Sequence, residues 1–236
     1  MNLKQVVFLF FHFTILQADE LYFIDATASS GITWTNTSGK DQKYIVEGMM
    51  GGAAFFDYDN DGDVDLYVTN GSSFQGFEGE PHPRNALLRN DDGYFEDVAI
   101  DAAVADTNWS MGCVAADYDN NGWVDLYVTN FGENSLFKNK GNGVFENSAI
   151  IAGVNHKGWA TGAAFADYDL DGYLDLYVAN YVDFSLDYES AIPCMWKNID
   201  VYCGPIGLLP ASDILFRNLG NGTFLDVTTA AGINTK

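Results

Sequence analysis

An ungapped internal repeat constrains the fold of this chain more than any other feature. Three segments beginning at Gly52, Gly112 and Gly162 each run through an Asp-rich loop into a Leu-Tyr-Val segment. The first Asp of the loop recurs after 60 residues and then after 50. Self-similarity at such a period is the mark of a repeat architecture, because each unit buries its apolar face against its neighbours.

Each repeat continues with two further strand-like segments. These are Leu88–Asn90 and Phe95–Val98, Phe137–Asn139 and Phe145–Ser148, and Phe216–Asn218 and Phe224–Val227. They are joined through Asp92-Gly93, Asn142-Gly143 and Asn221-Gly222, dipeptides that accept the positive φ of a tight hairpin. A unit is therefore predicted to hold four strands, which is the size of a β-propeller blade, whereas the repeats of a β-solenoid, the alternative, are shorter and lack regular hairpins.

We therefore predict an all-β protein of propeller-type four-stranded blades at about 45–100, 105–150 and 158–233. A spare copy of the last strand stands at Tyr22–Asp25, which makes three blades plus one extra strand. Because known propellers close with about four to eight blades, we expect either part of a larger ring or self-association of two copies to close one.

Each Asp-rich loop has the pattern D-x-D-x-[DN]-G-x-x-D, which suits a hard divalent cation. Ca²⁺ takes six to eight oxygen ligands, and alternate residues of a tight turn aim their carboxylates at one point. The backbone carbonyl of the seventh residue would add a ligand; that residue is Asp63, Trp123 or Tyr173. The predicted ligands are Asp57, Asp59, Asp61, Asp63 and Asp65 in loop 1, Asp117, Asp119, Asn121, Trp123 and Asp125 in loop 2, and Asp167, Asp169, Asp171, Tyr173 and Asp175 in loop 3.

The acidic net charge of the chain is consistent with the binding of about three Ca²⁺ ions, one for each loop. The 236 residues carry 33 acidic against 11 basic side chains, a formal net charge of -22. Bound calcium would relieve that repulsion and stabilise the fold, and loop 2, with Asn121 in place of an acid, should bind most weakly. The alternative is that the loops are solvated acidic turns without metal. An EF-hand is excluded because the twelfth position is Val68, Val128 or Val178 rather than Glu.

The run from the loop through L-F-R-N-x-G-N-G-T-F to A-G-I resembles the FG-GAP/VCBS repeat family. Within it the chain is similar to secreted proteins related to cartilage acidic protein, which carry an ASPIC/UnbV domain after the propeller. The resemblance spans Leu21 to Lys236. It implies a seven-bladed propeller with calcium on its loops, like the head of integrin α chains, although the chain has neither the remaining blades nor an ASPIC/UnbV segment.

The first 18 residues have the layout of a secretory signal peptide: Lys4, an apolar stretch to Leu16, and a cleavage site after Ala18. The alternative is a buried N-terminal strand. No later segment is apolar enough to cross a membrane, so we expect a secreted, extracellular or cell-envelope protein. In such a compartment Cys194 and Cys203 are disulfide candidates, and Cys113 is expected to be a small buried hydrophobe.

We expect no enzyme and no nucleic-acid partner. The acidic chain lacks clustered cations that neutralise phosphates, and its paired carboxylates are better explained as calcium ligands. The connection from Tyr181 to Ser212, longer than its counterparts, is either a recognition lobe or a cover over a blade edge. Trp109 and Trp159, at equivalent positions, could stack on a sugar but are more often core.

Two functions fit these features. The first is a secreted calcium-binding module that acts as a scaffold for protein interaction or cell adhesion. The second is a non-catalytic propeller of a polysaccharide-binding or polysaccharide-active protein, in which a glycan lies across the face. The partner would accordingly be an extracellular protein or a glycan.

Overall fold

A computed structural model describes residues 23–37, 44–72, 83–185, 194–201, 205 and 207–233. Within these ranges the regular secondary structure is almost entirely β-strand. The two short helices are a 3-10 turn at Ile45–Gly48 and the α-helix α1 at Ala149–Ala152. The leader and Cys203 lie outside the described residues.

The strands form three four-stranded antiparallel units, here called blades. Blade 1 is β1 (Ala53–Phe56), β2 (Asp65–Val68), β3 (Ala86–Asp91) and β4 (Tyr94–Asp97). Blade 2 is β5 (Trp109–Ala116), β6 (Asp125–Glu133), β7 (Ser135–Asn139) and β8 (Phe145–Asn147). Blade 3 begins with β9 (Lys157–Ala166) and β10 (Asp175–Asn180). After the short strands β11 (Val182–Asp183), β12 (Cys194–Trp196), β13 (Ile199–Val201) and β14 (Leu209–Pro210), it ends with β15 (Ile214–Asn218) and β16 (Phe224–Asp226).

The three blades share one register. The residue before each Asp loop pairs with the last Asp of that loop, as Phe56 with Asp65, Ala116 with Asp125 and Ala166 with Asp175. The predicted all-β fold of propeller-type blades is confirmed.

Blades 2 and 3 are also joined through their backbones. Strand β6 runs nine residues, and its end from Phe131 to Glu133 pairs with Trp159 to Lys157 at the start of β9. The ring of Phe131 meets Trp159 edge-on, with centroids 5.7 Å apart. The two blades therefore form one eight-stranded sheet.

The apolar core lies between the blades. Tyr58 of loop 1 stacks on Phe145 of blade 2, and Tyr118 of loop 2 packs on Phe224 of blade 3. These tyrosines are 5% and 1% exposed, whereas the equivalent Tyr168 of loop 3 is 49% exposed. Burial of each such ring is therefore supplied by the following blade, at about 1.5–3 kcal/mol per fully buried large side chain.

Two buried tyrosine hydroxyls in the core are paired on both sides. The hydroxyls of Tyr67 and Tyr127 donate to the carbonyls of Val104 and Val154 and accept from buried asparagine amides. Trp109 and Trp159 are 3% and 1% exposed in a shared apolar cluster, so they are core residues and not a sugar platform.

The N-terminal segment ends in a fourth copy of the corner that follows each blade. Asp25 caps this corner by accepting from the Thr27 amide, as Asp97 does from Ala99. The Ser30 carbonyl accepts from the Phe95 amide, as that of Ala102 does from Phe145. Residues 23–25, predicted as an extra strand, are not in a sheet, because no described strand lies beside them to pair with.

The long connection holds a small hairpin, β12–β13, beside the strand pair β11–β14. Cys194 is disulfide-bonded, and Cys113 is a free thiol packed into the core between blades 1 and 2. Burial raises the pKa of Cys113 to about 12, so it behaves as an inert apolar residue.

Candidate metal centres

The three Asp loops join the first two strands of their blades and fold alike. Asn60, Asn120 and Leu170 at the fourth position have left-handed φ of 59°, 57° and 61°. The glycine at the sixth position, which also has positive φ, donates its N–H to the first Asp. The fifth residue donates to the other oxygen of the same carboxylate. The glycine is thus required by both its φ and the reversal that brings the carboxylates together.

Carboxylate oxygens converge inside each loop within 4.8 Å of one another. The converging groups are Asp57, Asp59 and Asp61 in loop 1, Asp117, Asp119 and Asp125 in loop 2, and Asp167, Asp169 and Asp175 in loop 3. The structure thus brings together the first and third predicted ligands in every loop. The fifth joins them in loop 1 and the ninth in loops 2 and 3.

Two of these carboxylates have an oxygen that suits a cation. Asp59 Oδ1 and Asp119 Oδ1 are buried and have no hydrogen-bond partner. Burial and the neighbouring Asp61 raise the pKa of Asp59. Because a buried anionic oxygen without a partner is costly, a hard cation fits this donor set of carboxylates.

The ninth residue fastens each loop to its own blade. Asp65, Asp125 and Asp175 are buried. One oxygen of each accepts from the tyrosine amide at the second loop position, and the other accepts from the amide of an asparagine at the end of the third strand. Desolvation outweighs these bonds and raises the pKa of Asp65 to about 6 and of Asp125 to about 7.

The seventh residue contacts the far hairpin of its blade. Its N–H donates to the fifth side chain, that of Asp61, Asn121 or Asp171. The Trp123 ring lies over Gly141, and the Tyr173 ring over Gly220; a Cβ at either glycine would come within 2.7 Å of the ring. Asp63 instead accepts from the Asp92 amide.

The hairpins differ accordingly. In blade 1 the predicted Asp92-Gly93 turn has positive φ at both residues. The predicted Asn142-Gly143 and Asn221-Gly222 turns have it only at glycine, and a second positive-φ glycine, Gly141 or Gly220, precedes each. Those two turns are longer than the tight hairpin expected because they must pass beneath an aromatic ring.

Loop 2 differs from its sisters in charge. Besides Asn121, it has a cation of its own, because the Lys138 ammonium contacts Asp119 Oδ2 at 2.5 Å. The bond to Asp119 raises the pKa of Lys138. In blade 1 the equivalent Arg89 pairs with Asp91 and Glu96 instead.

The neighbouring residue explains this difference. Lys140 occupies the position that Asp91 has in blade 1, and its ammonium forms an ion pair with Glu146 at 2.9 Å. Lys138 therefore pairs with Asp119 instead of with Glu146. Sequence reasoning missed this contact, although the change from Arg89 and Arg217 to Lys138 at one repeat position was a visible signal.

The asparagine at the end of the third strand of each blade has a role that the sequence pattern did not predict. The side-chain amide of Asn139 donates to the Tyr58 carbonyl of loop 1 at 2.7 Å, and that of Asn218 to the Tyr118 carbonyl of loop 2 at 2.8 Å. Each also donates to the residue before the last Asp of its own loop. Neighbouring loops are therefore in contact through buried side chains.

Within the described ranges, the clusters of metal-ligating side chains are the three Asp loops. None of the described helices has the length and apolarity that a membrane crossing needs.

Comparison with known families agrees with the repeat. Residues 57–128 and 117–178 match the FG-GAP-like repeat, and together they cover just over half of the chain. A comparison with curated proteins finds no match. Each match begins at the first Asp of one loop and ends in the second strand of the following blade, so the loops and the blades between them carry the similarity. The chain belongs to the FG-GAP-like repeat family.

Proposed function

We propose that the protein is a secreted calcium-binding repeat module that serves as a scaffold for protein interaction or cell adhesion. The observation that carries the proposal is the threefold repetition of one loop geometry with converging carboxylates, together with a buried carboxylate oxygen that has no partner in each of loops 1 and 2. Kinship with the cartilage-acidic-protein-like group, and through it a seven-bladed ring, is part of the proposal.

Calcium would be held by the carboxylates of each loop. It would neutralise their mutual repulsion and cross-link the two strands that the loop joins. The protein's own part is to pre-arrange the site: glycine and backbone amides fix the first Asp, and the ninth Asp is held in place by two amides. The metal is thus structural, and the blades are the rigid surface that a partner recognises.

Secretion is supported by the leader-like first 18 residues and by the disulfide at Cys194, since disulfides persist in oxidising compartments. A non-catalytic role is part of the proposal, because the converging carboxylates of the loops are accounted for as calcium ligands.

A protein partner is favoured over a glycan. The repeated tryptophans are buried and cannot stack on sugars. The β12–β13 hairpin exposes Met195, Trp196 and Ile199 at 61–63%, a mixed apolar tip of the kind used in protein contacts. The glycan alternative keeps exposed aromatic side chains such as Trp196, Tyr94 and Tyr168 as candidate platforms outside the core.

Thermal unfolding with Ca²⁺ and with chelator tests the calcium proposal. A site held at 100 times its Kd adds about 2.7 kcal/mol, which raises the Tm of a chain of this size by about 5–10 °C. Asp169→Asn should remove one site's share, and Asp183→Asn, an exposed Asp outside the loops, should remove none. A folded protein whose Tm is the same in both buffers would contradict calcium binding.

Arrays of purified extracellular proteins and of glycans, probed with Ca²⁺ and with chelator, test the partner class. We expect calcium-dependent binding to a protein. Binding to glycans alone would favour the polysaccharide alternative.

A further inference from the structure

Each of the first two Asp loops touches the loop of the next blade through its fourth residue. The side-chain amide of Asn60 donates to the Gly122 carbonyl at 3.2 Å, and that of Asn120 donates to the Gly172 carbonyl at 3.0 Å. Both donors lie in exposed turns. At the same position loop 3 has Leu170, whose side chain has no donor.

The accepting carbonyl belongs to the peptide that shapes the receiving site. In loop 2 the N–H of that Gly122–Trp123 peptide donates to Asn121 Oδ1 at 2.8 Å, and the N–H of Gly122 donates to Asp117 Oδ2 at 2.8 Å. By binding the Gly122 carbonyl, Asn60 therefore helps to fix the orientation of Gly122, whose N–H in turn orients the Asp117 carboxylate. The same arrangement links Asn120 to Asp167 through Gly172.

A buried asparagine makes a second connection between the same two loops. Asn139, 1% exposed, donates its side-chain amide to the Tyr58 carbonyl of loop 1 and its backbone N–H to Asp125 Oδ1 of loop 2, each at 2.7 Å. Asn218 connects Tyr118 of loop 2 to Asp175 of loop 3 in the same way, each at 2.8 Å. One residue thus contacts the second residue of one loop through its side chain and the last carboxylate of the next loop through its backbone N–H.

From these contacts we infer that neighbouring loops bind Ca²⁺ cooperatively, with Asn60 and Asn120 as the residues that position the next site. A cation that orders loop 1 fixes the Asn60 side chain, and this side chain in turn holds the Gly122 peptide in the geometry that loop 2 needs. By linkage, loop 2 favours loop 1 by the same factor. The inference rests on the proposed binding of calcium by the loops.

A double-mutant cycle read at loop 2 tests the coupling. Trp123 is the tryptophan within the three loops, so Tb³⁺ luminescence excited through tryptophan reports loop 2, and Ca²⁺ competition then gives its affinity. Asp59→Asn weakens loop 1, and Asn60→Gly removes the donor while keeping a residue that accepts positive φ. We expect Asp59→Asn to weaken loop 2 about 2- to 10-fold, the range of one net hydrogen bond, and to have little effect once Asn60→Gly is present.

Two matched controls share the backbone conformation. Leu170→Gly changes the same loop position where no donor exists, and Asn198→Gly changes a residue at φ 65° in the β12–β13 turn. Neither should alter the coupling. Asn120→Gly gives an independent second instance when loop 3 is read in a background of Trp123→Tyr and Tyr173→Trp, which moves the loop tryptophan to loop 3.

Three results would overturn the inference. If Asp59→Asn leaves the Ca²⁺ affinity of loop 2 unchanged, the two sites are independent. An equal effect with and without Asn60→Gly means that Asn60 does not position loop 2 and that the coupling runs through Asn139 or through-space charge. Calcium bound by no loop in the unmodified chain overturns the proposed function as well, which separates that failure from the other two.

Discussion

Replacing Lys138 by methionine should tighten calcium binding at loop 2. The ammonium lies 2.5 Å from Asp119 Oδ2, so a divalent ion held by Asp119 would stand about 5 Å from it, given Ca–O distances near 2.4 Å. The Coulomb repulsion between a divalent calcium ion and the monovalent ammonium at that distance is about 1.7 kcal/mol in bulk water, and it is larger at a lower effective dielectric constant. Since the lysine side chain is 32% exposed and can turn away, we expect a gain of about 10- to 100-fold in affinity.

Lys140→Met is the matched control. It removes the same charge two residues along the chain, where the ammonium pairs with Glu146 on the surface. Calcium competition against Tb³⁺, excited through Trp123, measures loop 2 in both variants. A gain from Lys138→Met no larger than that from Lys140→Met would refute the local-cation argument and leave only net charge. Asn121→Asp should add to the gain, because it restores the ligand set of the sister loops.

Three further predictions concern stability. In metal-free protein the pKa of Asp65 is raised to about 6 and that of Asp125 to about 7, so the stability that these two groups contribute is full below about pH 4 and is lost as pH rises to 6 and 7. Denaturant melts should show this fall, and Asp125→Asn should flatten the part between about pH 6 and 7. Calcium should reverse the trend, and its failure to do so would place the ion elsewhere. Tyr127→Phe should cost about 1–3 kcal/mol, because it removes a bond to Val154 and strands the Asn134 amide; no loss in a urea melt would contradict that pairing. Asn218→Ala should cost about 2–4 kcal/mol, since it leaves the buried Tyr118 carbonyl and the half-buried Leu174 carbonyl without that donor, whereas Asn221→Ala in the exposed turn should cost less than about 1 kcal/mol; equal costs would refute the role of Asn218.

Repetition made most of the fold predictable. Three aligned copies indicated where the first strand of each blade ends and the second begins, because Asp at the ninth position and glycine at the sixth each have one structural use. The Lys138 contact was not predictable in this way, since it depends on which of two nearby acids each lysine pairs with in the folded structure. Nor was the extension of β6, which depends on Phe131 reaching Trp159 of the next blade.

The unequal burial of Tyr58, Tyr118 and Tyr168 has a consequence for how the molecule opens. Blade 2 packs against a described blade on both sides, so its local unfolding must break two interfaces and should cost more free energy than that of a blade with one. Amide hydrogen exchange should be slowest in β5 to β8 and faster in the outer strands of blade 3. The middle blade, which has the least acidic of the three loops, would then be the kinetic anchor of the array.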